Sequence, residues 1–357
     1  MRNIIRVNSS LGALFAGLAF TLIAALSPPR FREHTITDSL KSGYQVVAAD
    51  LNGDGKLDLI AVDQGSSEIA WYENPGWERH VIVTGVTHPI NLDAGNPGED
   101  GVPEIALLYE FDMQPVRSAG IVALLHHNGD VRKPWIMREI DRVPTAHRVR
   151  FSNGSMIMAP LAAAAGPVPI YLYRPPDWKR ELLTDELTGI LHGIYPGDRE
   201  LLTASFLGIR IFRPHASGQW RSRHISQGNP EPCPRCGSSD VAPGNGFIAA
   251  IEPWHGNQVV VYREHAGAWK RTVIDDSLED GHALAVGEVG IVAGYRGKNH
   301  KVYLYSVNGG GWSRTTIDAS GMAAANCILR DLNGDGRPDI VCIGASTHNI
   351  KWYESLK

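Results

Sequence analysis

Phe31-Arg32-Glu33-His34-Thr35-Ile36 and Trp77-Glu78-Arg79-His80-Val81-Ile82 are two copies of one pattern: an aromatic residue, then Arg and His, then β-branched residues. Further runs of this kind begin at Trp135, Trp178, Trp220, Trp269 and Trp312. Four have the form Trp-x-Arg, ending in Arg79, Arg180, Arg271 and Arg314. They continue as HVIV, ELLT, TVID and TTID, short β-branched runs that read as strands. About ten residues before each Trp lies another strand-like run. These runs are EIAWYEN, IVALLHH, VPIYLYR, GIRIFRP, NQVVVYR, KVYLYSV and NIKWYES, seven in all. The last, ending at Ser355, has no Trp run behind it, and residues 31–36 supply the missing piece. Seven units of about 45 residues, with the first strand completing the last unit, predict an all-β, seven-bladed β-propeller closed by its N-terminal strand. Closure removes the strand edges that an open sheet exposes.

Two acidic loops mark the first and last units. Residues 50–58 read Asp50-Leu51-Asn52-Gly53-Asp54-Gly55-Lys56-Leu57-Asp58. Residues 331–339 read Asp331-Leu332-Asn333-Gly334-Asp335-Gly336-Arg337-Pro338-Asp339. Oxygen side chains at positions 1, 3, 5 and 9 suit a hard cation, which takes about 6–8 oxygens. The runs YQVVAAD and LDLIAVD flank the first loop, so it joins two strands and is not an EF-hand. Residues 93–101 are acidic but misspaced, and Gly287-Glu288-Val289-Gly290 is too short to wrap an ion.

The reading places an N-terminal segment at residues 1–28 and the propeller at 31–357. Arg2 and Arg6 precede an apolar stretch from Leu11 to Leu26, followed by Ser27-Pro28-Pro29. This fits a signal peptide, or a membrane anchor through residues 11–26, and an exported protein in either case (periplasmic, extracellular or anchored). Net charge is −4, with no basic field for nucleic acid. Cys233-Pro234-Arg235-Cys236 reads as a local disulfide, a redox pair or half of a zinc site. Cys327 and Cys342 face each other if Leu329 pairs with Ile340, as a disulfide or as buried apolar residues.

One polar residue begins each inner strand: Gln45 with Tyr44, His88, His147, His192, Asp240, His282 and Asn326. On a propeller these positions surround one axis. The histidines are therefore expected at one channel mouth, where neutral imidazoles can hold a transition metal such as Zn²⁺ or Mn²⁺ or act as acid and base. Arg148 is a candidate for holding a substrate carboxylate. Tyr195 and Tyr44 are candidate proton donors, and the loop Glu110–Pro115 is expected to overhang the mouth. Hydrolase signatures such as Gly-x-Ser-x-Gly and His-Glu-x-x-His are absent from the sequence. Nothing in the chain names a redox cofactor or sets an oligomeric state.

The loops, their flanking strands and the Trp71-Tyr72-Glu73-Asn74-Pro75-Gly76 turn resemble the FG-GAP or VCBS-type repeat propellers. That resemblance implies structural Ca²⁺ held by Asp50, Asn52, Asp54, Asp58 and the Lys56 carbonyl. The second loop would use Asp331, Asn333, Asp335, Asp339 and the Arg337 carbonyl. Some propellers of this kind are polysaccharide lyases, and one is part of aldos-2-ulose dehydratase. The resemblance thus implies a carbohydrate ligand and a β-elimination in which His88, His147, His192, His282, Arg148 and Tyr195 do the chemistry. FG-GAP repeats also build non-catalytic binding and adhesion surfaces, which is the competing expectation.

Overall fold

Thirty strands make up the structure, a computed structural model that describes residues 29–95, 101–216, 218, 220–308 and 310–357. Twenty-eight of them form seven four-stranded antiparallel sheets. Every regular element among the described residues is a strand. The N-terminal segment and most of the 93–101 stretch lie outside the described residues.

The innermost strands of blades 1 to 7 are Gly43–Ala49, Asn91–Gly95, Ala146–Ser152, Leu191–Pro196, Asp240–Gly244, Gly281–Gly287 and Ala324–Arg330. Each is followed by three more strands in order, except in blade 7. There the outermost strand is Arg30–Thr37, which pairs with Ile350–Leu356 from Arg30 opposite Leu356 to Thr37 opposite Ile350. The expected ring closure is therefore present. Val46, Leu59 and Ala61 of blade 1 pack on Val341, Ile343 and Ile350 of blade 7 to fill the seam. Fully burying a Val, Leu or Ile side chain contributes roughly 1.5–3 kcal/mol, so this seam is held mainly by apolar contact.

The arginines of two Trp-x-Arg runs, Arg180 and Arg314, also tie neighbouring blades together. In three places an acid at the end of one blade is clamped by a Tyr and a base of the next. Asp141 accepts from Tyr173 Oη at 2.7 Å and lies 3.3 Å from Arg180. Asp275 accepts from Tyr305 Oη at 2.8 Å and from Arg314 at 2.7 Å. Asp318 accepts from Tyr353 Oη at 2.8 Å, Lys351 Nζ at 3.0 Å and the Ser320 amide at 3.0 Å. Burial alone would raise the Asp318 carboxyl, but these bonds more than reverse it and hold it below the usual range. Its contribution to stability is therefore present above the ordinary carboxylate range and lost as pH falls through the folded value. Asp318→Ala strands Tyr353 and half of the Lys351 partnership. It is expected to cost about 3 kcal/mol at neutral pH in a denaturant melt, and much less in acid.

A two-stranded insertion, Asn229–Pro230 with Cys236–Gly237, precedes blade 5 and is closed by a Cys233–Cys236 disulfide. Leu329 does pair with Ile340, and Cys327 and Cys342 are bonded directly across that ladder. No free cysteine remains, which leaves no thiol for a half zinc site.

Candidate active site on the propeller axis

Five inner strands carry a one-residue bulge at their start. The register skips Tyr44 in blade 1, His147 in blade 3, His192 in blade 4, His282 in blade 6 and Ala325 in blade 7. A bulge re-aims the extra side chain and interrupts the ladder locally. Four of these residues meet on the axis. The His192 ring lies 4.9 Å from His147 and 5.1 Å from His282, and Tyr44 packs on His282 at 5.3 Å. The Tyr44 hydroxyl is 3.2 Å from His147 Nε2.

A fifth group arrives from a loop. His255, between the second and third strands of blade 5, has φ 48 and stands 5.0 Å from His192 and 5.1 Å from His282. Beside it Arg296 and Asp280 form a fork of two 3.1 Å hydrogen bonds. His192 and His282 are 2% and 3% exposed, so the half-buried His255, Asp280 and Arg296 form the open side.

Hydrogen bonding sets the tautomers. His192 Nδ1 donates to the Ser239 carbonyl at 3.0 Å, and His282 Nδ1 donates to the Ala325 carbonyl at 2.5 Å. Each therefore turns an Nε2 lone pair inward, and that of His282 has no partner among the described residues. His255 can go either way. With Nε2–H donating to His192 Nε2 at 3.3 Å, its Nδ1 accepts from Arg296 at 3.3 Å. With the proton on Nδ1 it faces Asp280 Oδ1 at 3.4 Å, and Nε2 is freed. Burial pushes His147, His192 and His282 well below the usual imidazole range; the Arg148 charge adds to this at His147 and His192, and the Arg296 charge at His282. Burial and then Arg296 push His255 down to about 4, against the pull of Asp280. All four rings are thus neutral at pH 7.

The ligand nitrogens of His192, His255 and His282 lie within 4.8 Å of one another. Among the described residues this is the one such set of three His, Cys, Asp or Glu side chains. Tetrahedral Zn–N bonds of about 2.1 Å require nitrogens about 3.4 Å apart, close to the 3.3 Å of the His192–His255 pair. Carbonyls behind two ligands and a carboxylate behind the third are the supports that metal-bound imidazoles use. The residues fit a transition metal.

Arg148 sits beside this set, 7% exposed. Its guanidinium is 3.4 Å from Tyr44 Oη and 3.4 Å from His192 Nε2. It has no ion pair to a carboxylate among the described residues.

Other expected members fall elsewhere. His88 is exposed in the connection before blade 2, with φ 45 and no place in the cluster. Tyr195 is 42% exposed, three residues beyond His192 toward the opposite face, about 10 Å along the strand. In blade 1 the bulge presents Tyr44, while Gln45 braces both polar groups of Leu92 in the next blade at 2.8 and 2.9 Å. In blade 7 it presents Ala325, and Asn326 accepts the Val46 amide at 3.2 Å. Asp240 is half-buried, its carboxyl raised by desolvation against the opposing charge of Arg148. Sequence periodicity missed His255 and Arg296 because both lie in loops.

The acidic loops occupy the other face, at the turns between first and second strands. Asp50 accepts from the amides of Gly53, Asp54 and Gly55 at 2.8–3.2 Å. Asp331 takes the same three bonds at 2.7–3.1 Å. Asn52, Asn333, Asp54 and Asp335 each accept an amide from within the loop. The carboxylates of Asp58 and Asp339 are buried under the loops. Asp58 is pushed up to about 6 by burial, and the charges of Asp54 and Asp50 add to the shift. A hard cation in either loop would draw on these side-chain oxygens and on the Lys56 or Arg337 carbonyl at position 7.

Comparison with known proteins adds a repeat match, a distant relative and a shared fold. Residues 34–107 match the FG-GAP-like repeat. The chain is 23% identical over 306 residues to aldos-2-ulose dehydratase of Phanerodontia chrysosporium. That match covers 69% of this chain and 34% of the relative, so the chain spans about a third of that enzyme. The fold is shared with a virginiamycin B lyase from Staphylococcus aureus, a catalytically inactive variant with quinupristin (TM-score 0.63, 14% identity, 92% of this chain and 100% of that one). It is shared too with Saccharomyces cerevisiae Sqt1 (TM-score 0.59, 11% identity, 92% and 98%). The chain is a seven-bladed β-propeller with an FG-GAP-like repeat at residues 34–107 and a distant similarity to aldos-2-ulose dehydratase.

Proposed function

We propose that this protein is a carbon–oxygen lyase or dehydratase that removes a proton beside a carbonyl or carboxylate of a sugar and expels the β-oxygen. The observation that carries the reading is the gathering of three inward Nε2 atoms beside a Tyr–His pair and a buried arginine. A divalent cation on His192, His255 and His282 would polarise the substrate oxygen and acidify the adjoining C–H.

The remaining roles follow from the side chains. Tyr44 oxygen takes the substrate proton as its own passes to His147 Nε2, 3.2 Å away. Arg148, 3.4 Å from that oxygen, faces the negative charge that grows on the substrate as its proton leaves and can also hold a substrate carboxylate. The C–O bond breaks, a C=C bond forms, and the leaving oxygen collects the proton returned through Tyr44. Tyr44→Phe and His147→Ala are expected to lower turnover of a 2-oxo sugar by about 10²–10⁴-fold. The rise in ultraviolet absorbance of the unsaturated product measures this. Full turnover in both variants would remove the roles assigned to Tyr44 and His147.

Structural Ca²⁺ in the two loops and export of the protein belong to the same reading. The two disulfides support an oxidising compartment. One observation favours the second reading, a non-catalytic binding module: the near-sealed Arg148 charge would be satisfied by any small anionic ligand. Ligand binding without turnover across a panel of 2-oxo sugars and sugar acids would decide for it.

A further inference from the structure

A cavity of about 360 Å³ opens at the same mouth, lined by Gln64, His88, Phe111, Asp112, Met113 and Arg117. Its size lies within the roughly 300–1,000 Å³ of small-molecule sites. Its inner wall is Phe111, whose ring also packs on His147 at 5.4 Å. The cavity therefore adjoins the proton-handling end of the histidine cluster.

The frame is fixed. The Glu110 amide donates to Thr87 O at 2.7 Å, and the Phe111 amide donates to His88 O at 3.2 Å. Glu110 and His88 both hold left-handed backbone, φ 53 and 45, which persists only where the surroundings enforce it. Asp112 is oriented by the Gln114 amide at 2.7 Å and by Arg117 at 3.0 Å.

The lining combines an aromatic face and a thioether with an amide, an imidazole, a carboxylate and a guanidinium. The first pair suits the C–H face of a pyranose ring, and the second group suits its hydroxyls. We infer that this cavity is a second sugar subsite, so that the substrate is a di- or oligosaccharide whose neighbouring ring it holds; this rests on the lyase reading above. His88, which lies off the axis, then contacts substrate without taking part in proton transfer.

The test is saturation-transfer NMR and calorimetry with the metal-loaded protein, a panel of neutral disaccharides and their constituent monosaccharides. At least one disaccharide is expected to bind about tenfold more tightly than its monosaccharide. His88→Ala and Asp112→Asn, both at the surface, are expected to erase that difference while leaving monosaccharide affinity and metal content unchanged. Equal affinity for both sugar sizes, or a preference that survives both substitutions, overturns the second subsite. Elimination from a monosaccharide without any such preference overturns this inference alone. Failure of every sugar to bind or react overturns the lyase reading with it.

Discussion

His192→Ala is expected to strip the channel metal from the purified protein and to cut elimination by about 10³-fold or more. His192 is the hub of the cluster, with three other imidazole rings at 4.9–5.1 Å. Its loss leaves two nitrogens, those of His255 and His282, which cannot close a tetrahedral site against water. It also leaves the Ser239 carbonyl without its imidazole donor and Arg148 without one of its two neutral contacts. Elemental analysis before and after the substitution separates a channel ion from loop calcium, because the loops lie on the opposite face. Asp280→Asn provides the graded comparison. It keeps the ligands but weakens the support behind His255, and 10–100-fold weaker metal binding is expected. Retention of stoichiometric transition metal and full turnover by His192→Ala would sink the assignment. A melt run beside each assay checks that the variant is folded.

Chelation is expected to lower the melting temperature by several degrees through the two acidic loops. A ligand present at about 100 times its Kd stabilises by about 2.7 kcal/mol per site. The sign with pH is specific. In the metal-free loop Asp58 has its carboxyl raised from 3.8 to about 6. Ionising it in the fold then costs about 3 kcal/mol, at about 1.4 kcal/mol per unit. For an acid with a raised value, the Asp58 contribution to the stability of the chelated protein is most favourable below about pH 4. That contribution is lost as pH rises toward 6 and is flat above it. Calcium should remove this slope, since the cation favours the ionised form. Scanning calorimetry at pH 4, 5, 6 and 7, with and without calcium, measures both effects. An unchanged melt after thorough chelation would exclude a structural cation in the loops.

The sequence makes the blades legible because the fold repeats its packing. A Trp run and a third-strand run recur from blade to blade, with the second blade drawn out, and the pattern of residues 31–36 places the closing strand. The acidic loops could be placed on hairpins because β-branched runs flank them. The axial residues were legible only in part. A bulge adds one residue without changing the period, so Gln45 was paired with Tyr44 and Asn326 stood in for Ala325. In blades 3, 4 and 6 the bulged residue is itself histidine, and there the reading and the geometry coincide. His88 failed because its blade has no bulge and its backbone turns away before the strand begins. Tyr195 lies on the inner strand but too far along it. His255 and Arg296 come from loops, where no periodicity announces a side chain that reaches the axis.

The seam has a kinetic consequence. Arg30 bonds to Lys357 across a sequence separation of 327 residues, and the whole strand Arg30–Thr37 waits for partners at that distance. Loop-closure entropy makes such pairings late events in folding, after blades built from neighbouring hairpins. Until the ring shuts, Ile350–Leu356 presents an unpaired edge and the apolar faces of blades 1 and 7 stay wet, a state open to aggregation. The Cys327–Cys342 bond and the second acidic loop both lie in blade 7, the blade that must hold its shape while it waits. Amide exchange should therefore find Arg30–Thr37 among the first strands to open and the last to gain protection on refolding.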